Sequence, residues 1–279
     1  MAGRGHPMTY EERLVRRTVG ISISEAEDLT SLGFGAGHLR DAAGEIARHL
    51  LALGARLVYA GDLRAHGFTE LLIELVARHR RDSSDARLPI TNFLPWPVHI
   101  GWSLKEIDDV VQNVEAVADL EFLDVEGQTL SPRGRRKLRA RTPTTRDWRR
   151  GLTTARERLA RESNARIVLG GRLGGFRGSL PGIVEEALMA MRARQPLYVV
   201  GGFGGCARAI AYALGLIPGS PSAAGRTAGS EFNGFTPSDL RNGLTRHENE
   251  TLARTPHIEE AVALILRGLA ARTPRTRHS

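Results

Sequence analysis

Two glycine-rich segments of the sequence contain the residue types best suited to holding an anion. The apolar runs at 167–169 and 197–200 each end in a pair of glycines, and a helix-type pattern follows each segment. Glycine lets backbone N–H groups approach a phosphate closely, and a helix N-terminus adds partial positive charge. The pattern therefore predicts a site for a nucleotide or a phosphorylated sugar. From these segments we expect ligand contacts by Gly170, Gly171, Arg172, Gly178, Gly182, Gly201, Gly202, Phe203 and Gly204.

Alternative interpretations apply to both segments. The loop at 170–182 also suits a flexible surface turn, and the glycines at 201–205 also suit tight packing of a helix on a strand. Arg172 supplies a guanidinium fork that matches a phosphate, although it is equally a surface charge. Phe203 can stack on a base or pack into the core.

Two adjacent carboxylates follow the first glycine segment. Glu185 and Glu186 lie at the start of the predicted helix. A carboxylate beside ribose C1′ would stabilise an oxocarbenium-like centre, and a second could position water. Neighbouring helix residues diverge in direction, so we expect only one of the two to face a ligand. The alternative is a pair of solvated charges on the helix surface.

Polar residues also follow the first two predicted strands. Ser22 and Ser24 lie at the end of the apolar pattern 18–24, where they could bind phosphate or ribose hydroxyls, or serve as turn residues. Asp62 and Arg64 follow the second strand, a position that often holds a ribose in doubly wound sheets. We expect all four to line the ligand site.

The sequence predicts neither a metal site nor a bound cofactor. The histidines have no metal-ligand spacing, and the single cysteine, Cys206, excludes an intramolecular disulfide. Cys206 lies at a predicted helix N-terminus, which can lower a thiol pKa. Since no histidine accompanies it, we expect a small packed residue.

The net charge of +8 is concentrated in one segment. Residues 131–150 contain nine Lys or Arg and one Asp, a balance of 9 − 1 = +8 that equals the excess of the whole chain. A solvated mobile loop, a lip that attracts phosphate, and a nucleic-acid patch are the alternatives. Because aromatic residues are nearly absent from the segment, we do not expect a nucleic-acid partner.

Alternating strand and helix patterns predict an α/β Rossmann-like fold, a doubly wound and mostly parallel sheet of about six strands with helices on both faces. We expect one domain at 17–272, with a basic insertion at 126–150 and a long loop or lid at 215–245. Residues 1–16 are expected to form a tail or a first irregular helix, and residues 273–279 a disordered tail. Without an apolar segment long enough for a membrane span or signal peptide, a cytoplasmic location is expected. The strands are expected near 18–24, 55–60, 89–96, 120–125, 165–171 and 197–200.

Three segments of the sequence resemble the SLOG superfamily, Rossmann-like domains named for Smf/DprA and the Lonely Guy hydrolases. They are GISIS at 20–24, LVYAGDLRAHGFTE at 57–70 and ARIVLGGRLGGFRGSLPGIVEEAL at 165–188. The likeness spans about residues 17–216. It is strongest to a bacterial branch linked to TIR domains and to nucleotide-dependent defence against phage.

The resemblance implies two competing functions. Defence-linked SLOG domains act as sensors of ADP-ribose-derived or NAD-derived signals, which implies a TIR-type or other effector partner. Lonely Guy enzymes cleave the N-glycosidic bond of nucleoside 5′-monophosphates with a Pro-Gly-Gly-x-Gly-Thr motif, glutamates and an arginine on the preceding helix. That mechanism would assign catalysis to Glu185, Glu186 and Arg156, or to Arg158 in place of Arg156.

The motif favours the sensor over the hydrolase. The proline and threonine of the hydrolase motif are out of register here, and the loop RLGGFRGSLPG is longer than the enzymes carry. A homo-oligomer is expected because Lonely Guy relatives are commonly dimers.

Overall fold

A computed structural model describes residues 13–15, 17–61, 68–79, 89–114 and 118–271 of the chain. Within these residues a seven-stranded sheet has the order β5-β4-β3-β2-β1-β6-β7. All neighbouring strands are parallel except β4 and β5, which are antiparallel. The strands are β1 (Thr18–Ser24), β2 (Arg56–Ala60), β3 (Ile90–Leu94), β4 (Asp119–Leu123), β5 (Thr129–Leu130), β6 (Ala165–Gly170) and β7 (Leu197–Val200).

The predicted α/β fold is confirmed, and the six expected strands are present. The seventh, β5, contains only two residues and pairs with the end of β4, so it is too short to give a periodic pattern. The helices are α1 (Ala36–Ala52), α2 (Phe68–His79), α3 (Trp96–His99), α4 (Leu104–Val114), α5 (Pro132–Arg136), α6 (Thr145–Glu162), α7 (Gly182–Arg192), α8 (Gly205–Ala213), α9 (Ala223–Gly229), α10 (Arg246–Arg254) and α11 (Ile258–Ala271).

Helices cover both faces of the sheet, which explains the nearly continuous apolar runs of the central strands. On one face, Ile21 and Ile23 of β1 pack in a cluster with residues of α1 and α11. On the other face, Val168 of β6 and Val199 of β7 pack against α7 and α8. Leu14, in the segment predicted as a tail, is also buried in the first cluster.

The chain reverses its direction of winding between β1 and β6. From β1 it proceeds through β2, β3 and β4 to one edge, and it then returns to place β6 and β7 on the other side of β1. Ser24 and Gly170 are paired at the carboxyl ends of these two central strands. In open α/β sheets, ligands bind in the crevice at such a switch point.

The basic segment 131–150 is folded, so a mobile loop, one of the sequence-based alternatives, is wrong. Ser131 caps α5 by accepting a hydrogen bond from the Gly134 N–H at 3.0 Å. Thr144 and Asp147 form a reciprocal capping box at the start of α6, with N–H to side-chain oxygen distances of 2.7 and 3.1 Å. Arg141 pairs with both oxygens of Asp147 at 2.7 and 2.8 Å, and these contacts lower the pKa of that carboxyl.

A buried arginine anchors the same segment to α3. The Nε of Arg135 donates to Nδ1 of His99 at 2.8 Å, which leaves the ring proton on Nε2 to bind the Leu123 carbonyl at 2.8 Å. Arg135 and His99 are both fully buried. Burial, with the Arg135 charge nearby, lowers the pKa of His99 to about 4.

The region 215–245, predicted as a long loop or lid, contains three short helical segments. It contains α9 and two 3-10 turns, at Ser230–Phe232 and Pro237–Leu240. Phe232 and Leu240 are fully buried in the cluster under α7 and α8. Among the described helices, none has the length and apolar character needed to cross a membrane.

Candidate functional site

The first glycine segment bends sharply where β6 ends. Gly170 and Gly171 have φ values of +63° and +106°, which disfavour residues with a side chain. A Cβ on Gly171 would lie 2.8 Å from the Cβ of Cys206, and one on Gly170 would collide with the Ser24 carbonyl. The Gly171 N–H donates to that carbonyl at 2.8 Å. These two glycines thus let β1, β6 and α8 meet at the switch point.

The next N–H groups of this loop already bind a carboxylate of the chain itself. Leu173 N–H donates to Oε2 of Glu27 at 3.0 Å, and Gly174 N–H donates to Oε1 at 3.2 Å. Glu27 lies in the loop that follows β1. Two backbone donors of the loop that the sequence predicts to hold a phosphate therefore bind an internal anion.

The second glycine segment serves packing, which corrects the predicted ligand contacts by Gly201, Gly202 and Phe203. A Cβ on Gly201 would lie 2.5 Å from the Ala253 carbonyl, and one on Gly202 would collide with the Thr255 carbonyl. The end of α10 therefore lies directly on these glycines. Phe203 is 1% exposed and packs on Phe34 with ring centroids 5.8 Å apart, so it offers no face to a base.

The N-terminus of α8 is also occupied by a carboxylate. Gly204, with φ +78°, leaves room for Asp28, whose Oδ1 accepts the Gly205 N–H at 2.7 Å. Burial and the charges of Glu27 and Asp28 raise the pKa of Cys206 to about 12. The Cys206 thiol donates to the Arg172 carbonyl at 3.0 Å, and the side chain is fully buried, as expected for a packed residue.

Glu186 is the counterion of a buried arginine. Its Oε2 accepts from Nη1 of Arg166 at 2.9 Å and also from the hydroxyl of Ser22. Arg166 is fully buried, and its Cζ lies 3.0 Å from the position of a Cβ on Gly20. Ser22 is 3% exposed, so the structure places it inside this network and corrects its predicted contact with a ligand.

Glu185 forms a second pair on the same helix. It binds Arg156 and accepts a hydrogen bond from the Thr153 hydroxyl at 2.5 Å. Arg156 Nε also lies 3.6 Å from Oε1 of Glu186. Both glutamates are buried, so the alternative of two solvated charges is wrong, and the expectation that only one of them faces a ligand stays a prediction. The negative charges of Glu185 and Glu186 are thus balanced by the positive charges of Arg156 and Arg166.

The structure separates the two candidate arginines of α6. Arg156 supports the first glycine loop, because a Cβ on Gly178 or Gly182 would lie 2.9 or 2.8 Å from its guanidinium nitrogens. Arg158 instead faces β4, where it lies 3.5 Å from Glu121 and 5.7 Å from the Phe93 ring centroid. Only Arg156 belongs to the glutamate cluster.

A cavity of about 560 Å³ lies at the switch point, within the range typical of small-molecule sites. Its walls come from the loops after β1 and β6, from α8 and from the segment leading into α9. Among the described residues that line the cavity, Arg208 provides the guanidinium group. Its Cζ lies 5.6 Å from the ring centroid of Tyr212. Within the described chain no carboxylate pairs with Arg208. The polar lining residues are Glu27, Asp28, Ser31, Arg208, Tyr212, Ser220 and Ser222.

Sequence reasoning missed the polar residues of this cavity. Glu27 and Asp28 follow the predicted end of β1 by three and four residues, a position that the switch-point rule would have singled out. Arg208 lies one helical turn after Gly205, so a helix start at that glycine would have placed it near the same edge.

Of the other predicted residues, Ser24 and Arg172 lie close by without lining the cavity. Ser24 is half-buried at the end of β1, and Arg172 is exposed. Asp62 and Arg64 lie outside the described residues. In the described part of the chain, no group of three or more His, Cys, Asp or Glu side chains is arranged to hold a metal ion.

A second, more open cleft of about 800 Å³ follows the outer face of α6. Exposed Arg146 and Arg149 line it, together with Arg150, which pairs with Glu126 of the β4–β5 turn. This cleft lies along the surface of α6, and Ser179 of the first glycine loop also lines it. The prediction that the basic segment attracts phosphate remains a prediction.

Comparison with protein families agrees with this architecture. The family model SLOG cluster2 matches residues 13–235, which include β1, β6, both glycine segments and all residues that line the switch-point cavity. Comparison with curated proteins finds no significant match. Because the family match covers most of the chain, this protein belongs to the SLOG superfamily, in the family SLOG cluster2.

Proposed function

We propose that this protein binds a nucleotide or nucleotide sugar, derived from ADP-ribose or NAD, in the switch-point cavity. The observation that carries the proposal is the position of Arg208, a guanidinium without a carboxylate partner in the described chain, on the wall of a ligand-sized cavity. Membership of the SLOG superfamily supports a nucleotide-related ligand.

The cavity has the chemistry that such a ligand needs. A guanidinium binds a phosphate with two parallel hydrogen bonds, and desolvation inside a cavity strengthens the attraction. Ser31, Ser220 and Ser222 offer hydroxyl groups that donate or accept. Tyr212 adds an aromatic surface beside Arg208. The cavity thus offers a positive charge, hydrogen-bonding hydroxyl groups and an aromatic surface to one ligand.

Binding without hydrolysis agrees best with the state of the two glutamates. Glu185 and Glu186 are held by Arg156 and Arg166 in a buried network. A carboxylate that balances a buried guanidinium contributes to the fold, and it is not free to meet a substrate. We therefore propose a sensor rather than an enzyme.

The cellular part of this proposal rests on the resemblance to the defence-linked SLOG branch. It comprises ligand sensing in bacterial anti-phage defence and a TIR-type or other effector partner. Assembly into a homo-oligomer is proposed from the likeness to Lonely Guy enzymes, and a cytoplasmic location is proposed as well.

A phosphoribohydrolase-like N-glycosidase is the second candidate, favoured by one contact. The Arg156–Glu185 pair lies directly against Gly178 and Gly182 of the first glycine loop. A nucleotide on the outer side of that loop would place its ribose near Glu185, which could stabilise positive charge at C1′. Glu186, held by Arg166, would have a positioning role.

Calorimetric titration of the full chain with ADP-ribose, NAD and AMP tests the proposal. We expect at least one ligand to bind, with affinity at least tenfold weaker in Arg208→Gln and unchanged in the exposed control Arg192→Gln. Chromatography of the same samples follows release of free base. Release that is lost in Glu185→Gln would establish the hydrolase, and the absence of binding to all three ligands would contradict a nucleotide site.

A further inference from the structure

The arrangement of charge around the switch-point cavity indicates the orientation of a bound ligand. We propose that Glu27 and Asp28 accept hydrogen bonds from vicinal hydroxyls of the ligand sugar, while Arg208 binds its anionic group. The ligand class is then a phosphorylated sugar with a free vicinal diol. This inference rests on the proposed function.

Backbone donors hold both carboxylates in fixed positions. Glu27 accepts one N–H on each oxygen, from Leu173 and Gly174, and Asp28 accepts the Gly205 N–H on Oδ1. A carboxylate has about four lone-pair sites, so each still has acceptor capacity after these bonds. Both side chains line the cavity. They are pre-organised acceptors, and a ligand group that contacts them must donate.

The same contacts exclude a phosphate from this end of the cavity. The donors that would bind it are already used, and two neighbouring negative charges would repel it. Arg208 lies about one helical turn along α8 from Gly205, and it forms no ion pair with Glu27 or Asp28. An acceptor end and a cationic end are therefore separate, which orients a ligand that has hydroxyls on one side and a phosphate on the other.

Two sugars that differ by one hydroxyl test the inference. Titrations of the full chain with ribose 5-phosphate and 2-deoxyribose 5-phosphate are compared in the same buffer. We expect the ribose compound to bind at least tenfold tighter, because a hydroxyl bonded to a charged acceptor contributes strongly to binding. Equal affinities in the unaltered protein would overturn the proposal without any variant.

Isosteric variants assign the preference to these side chains. In Glu27→Gln and Asp28→Asn the preference for the ribose compound should fall to within about threefold, whereas the neighbouring exposed control Glu25→Gln should retain it. The Asp28→Asn amide keeps an oxygen for the Gly205 N–H, whereas the Glu27→Gln amide keeps an oxygen for one of its two backbone donors, and circular dichroism checks the fold. If both variants bind both sugars more tightly and by the same factor, the carboxylates only block phosphate, and the proposal is wrong.

These outcomes can be separated from failure of the proposed function. If neither sugar phosphate nor ADP-ribose binds the unaltered protein, the cavity is not a nucleotide site and both proposals fail. If both sugars bind equally and Arg208→Gln weakens both, the anion site stands and only the diol inference fails.

Discussion

Glu186 pairs with Arg166 across a buried interface between α7 and β6, with Nη1 to Oε2 at 2.9 Å. Burial lowers the pKa of Arg166, and the Glu186 charge opposes that shift. The guanidinium is kept in the interior because this carboxylate compensates it. A glutamate that follows a glycine loop thus has a structural task here, although its position resembles that of a catalytic residue.

Removal of this counterion should destabilise the protein. We expect Glu186→Gln to lower the free energy of unfolding by about 3 kcal/mol or more, because breaking a buried ion pair leaves an uncompensated charge. Urea denaturation at pH 7 measures the change. The exposed Glu157→Gln on α6 is the control and should change stability by less than about 0.5 kcal/mol. Unchanged stability of Glu186→Gln would show that the pair is dispensable to the fold.

Acid should weaken the anchor of the basic segment through His99. The pKa of about 4 in the folded state lies below the ordinary value of 6.5, so the unfolded chain gains its proton first as pH falls. Stability from this residue is fully present above pH 6.5 and is lost towards pH 4, with a total of roughly 3 kcal/mol.

Denaturation curves at pH 7 and pH 4.5 measure the acid effect. The decrease should be smaller in His99→Gln, which has no titrating ring and retains a side-chain acceptor for Arg135. An equal decrease in both proteins would contradict the assignment of this pH dependence to His99.

Gly202 tests whether the second glycine segment serves packing. A methyl group at this position would collide with the Thr255 carbonyl, so Gly202→Ala should cost about 2 kcal/mol or more. Gly37→Ala on α1 has open space around it and should be neutral or stabilising by up to about 1 kcal/mol. Thermal denaturation compares the two. A Gly202→Ala protein of unaltered stability that no longer binds ligand would restore this glycine to the site.

The sheet could be predicted from the sequence because its central strands are buried on both faces. The run that forms β7 is apolar throughout, those that form β1 and β6 are mostly apolar, and glycines follow β6 and β7. β5 could not be predicted, because a strand of two residues is too short to show an alternating apolar pattern. The folded state of the basic segment could not be predicted either, because it depends on the contact between Arg135 and His99, which are 36 positions apart in the sequence.

The cavity lies at the edge of the sheet where the sequence predicts a ligand site, and its described lining contains none of the predicted site residues. A glycine pair after a strand can either hold an anion or allow close packing. At Gly202 the structure shows close packing against the Thr255 carbonyl. The contact that holds Glu27 cannot be predicted from the sequence, because its partner Leu173 is 146 residues away in the chain. Arg156 and Arg158 are distinguished only by the rotation of α6, which spacing in the sequence does not give.

The central claim is that the ligand lies at the switch point between β1 and β6. Hydrogen–deuterium exchange of the full chain with and without saturating ADP-ribose measures this most directly. The account predicts slower exchange in the loop at 25–33, the glycine loop at 171–175, the start of α8 and the segment 220–225. Protection confined to the outer face of α6 between Arg146 and Glu157, with no change at those segments, would contradict it.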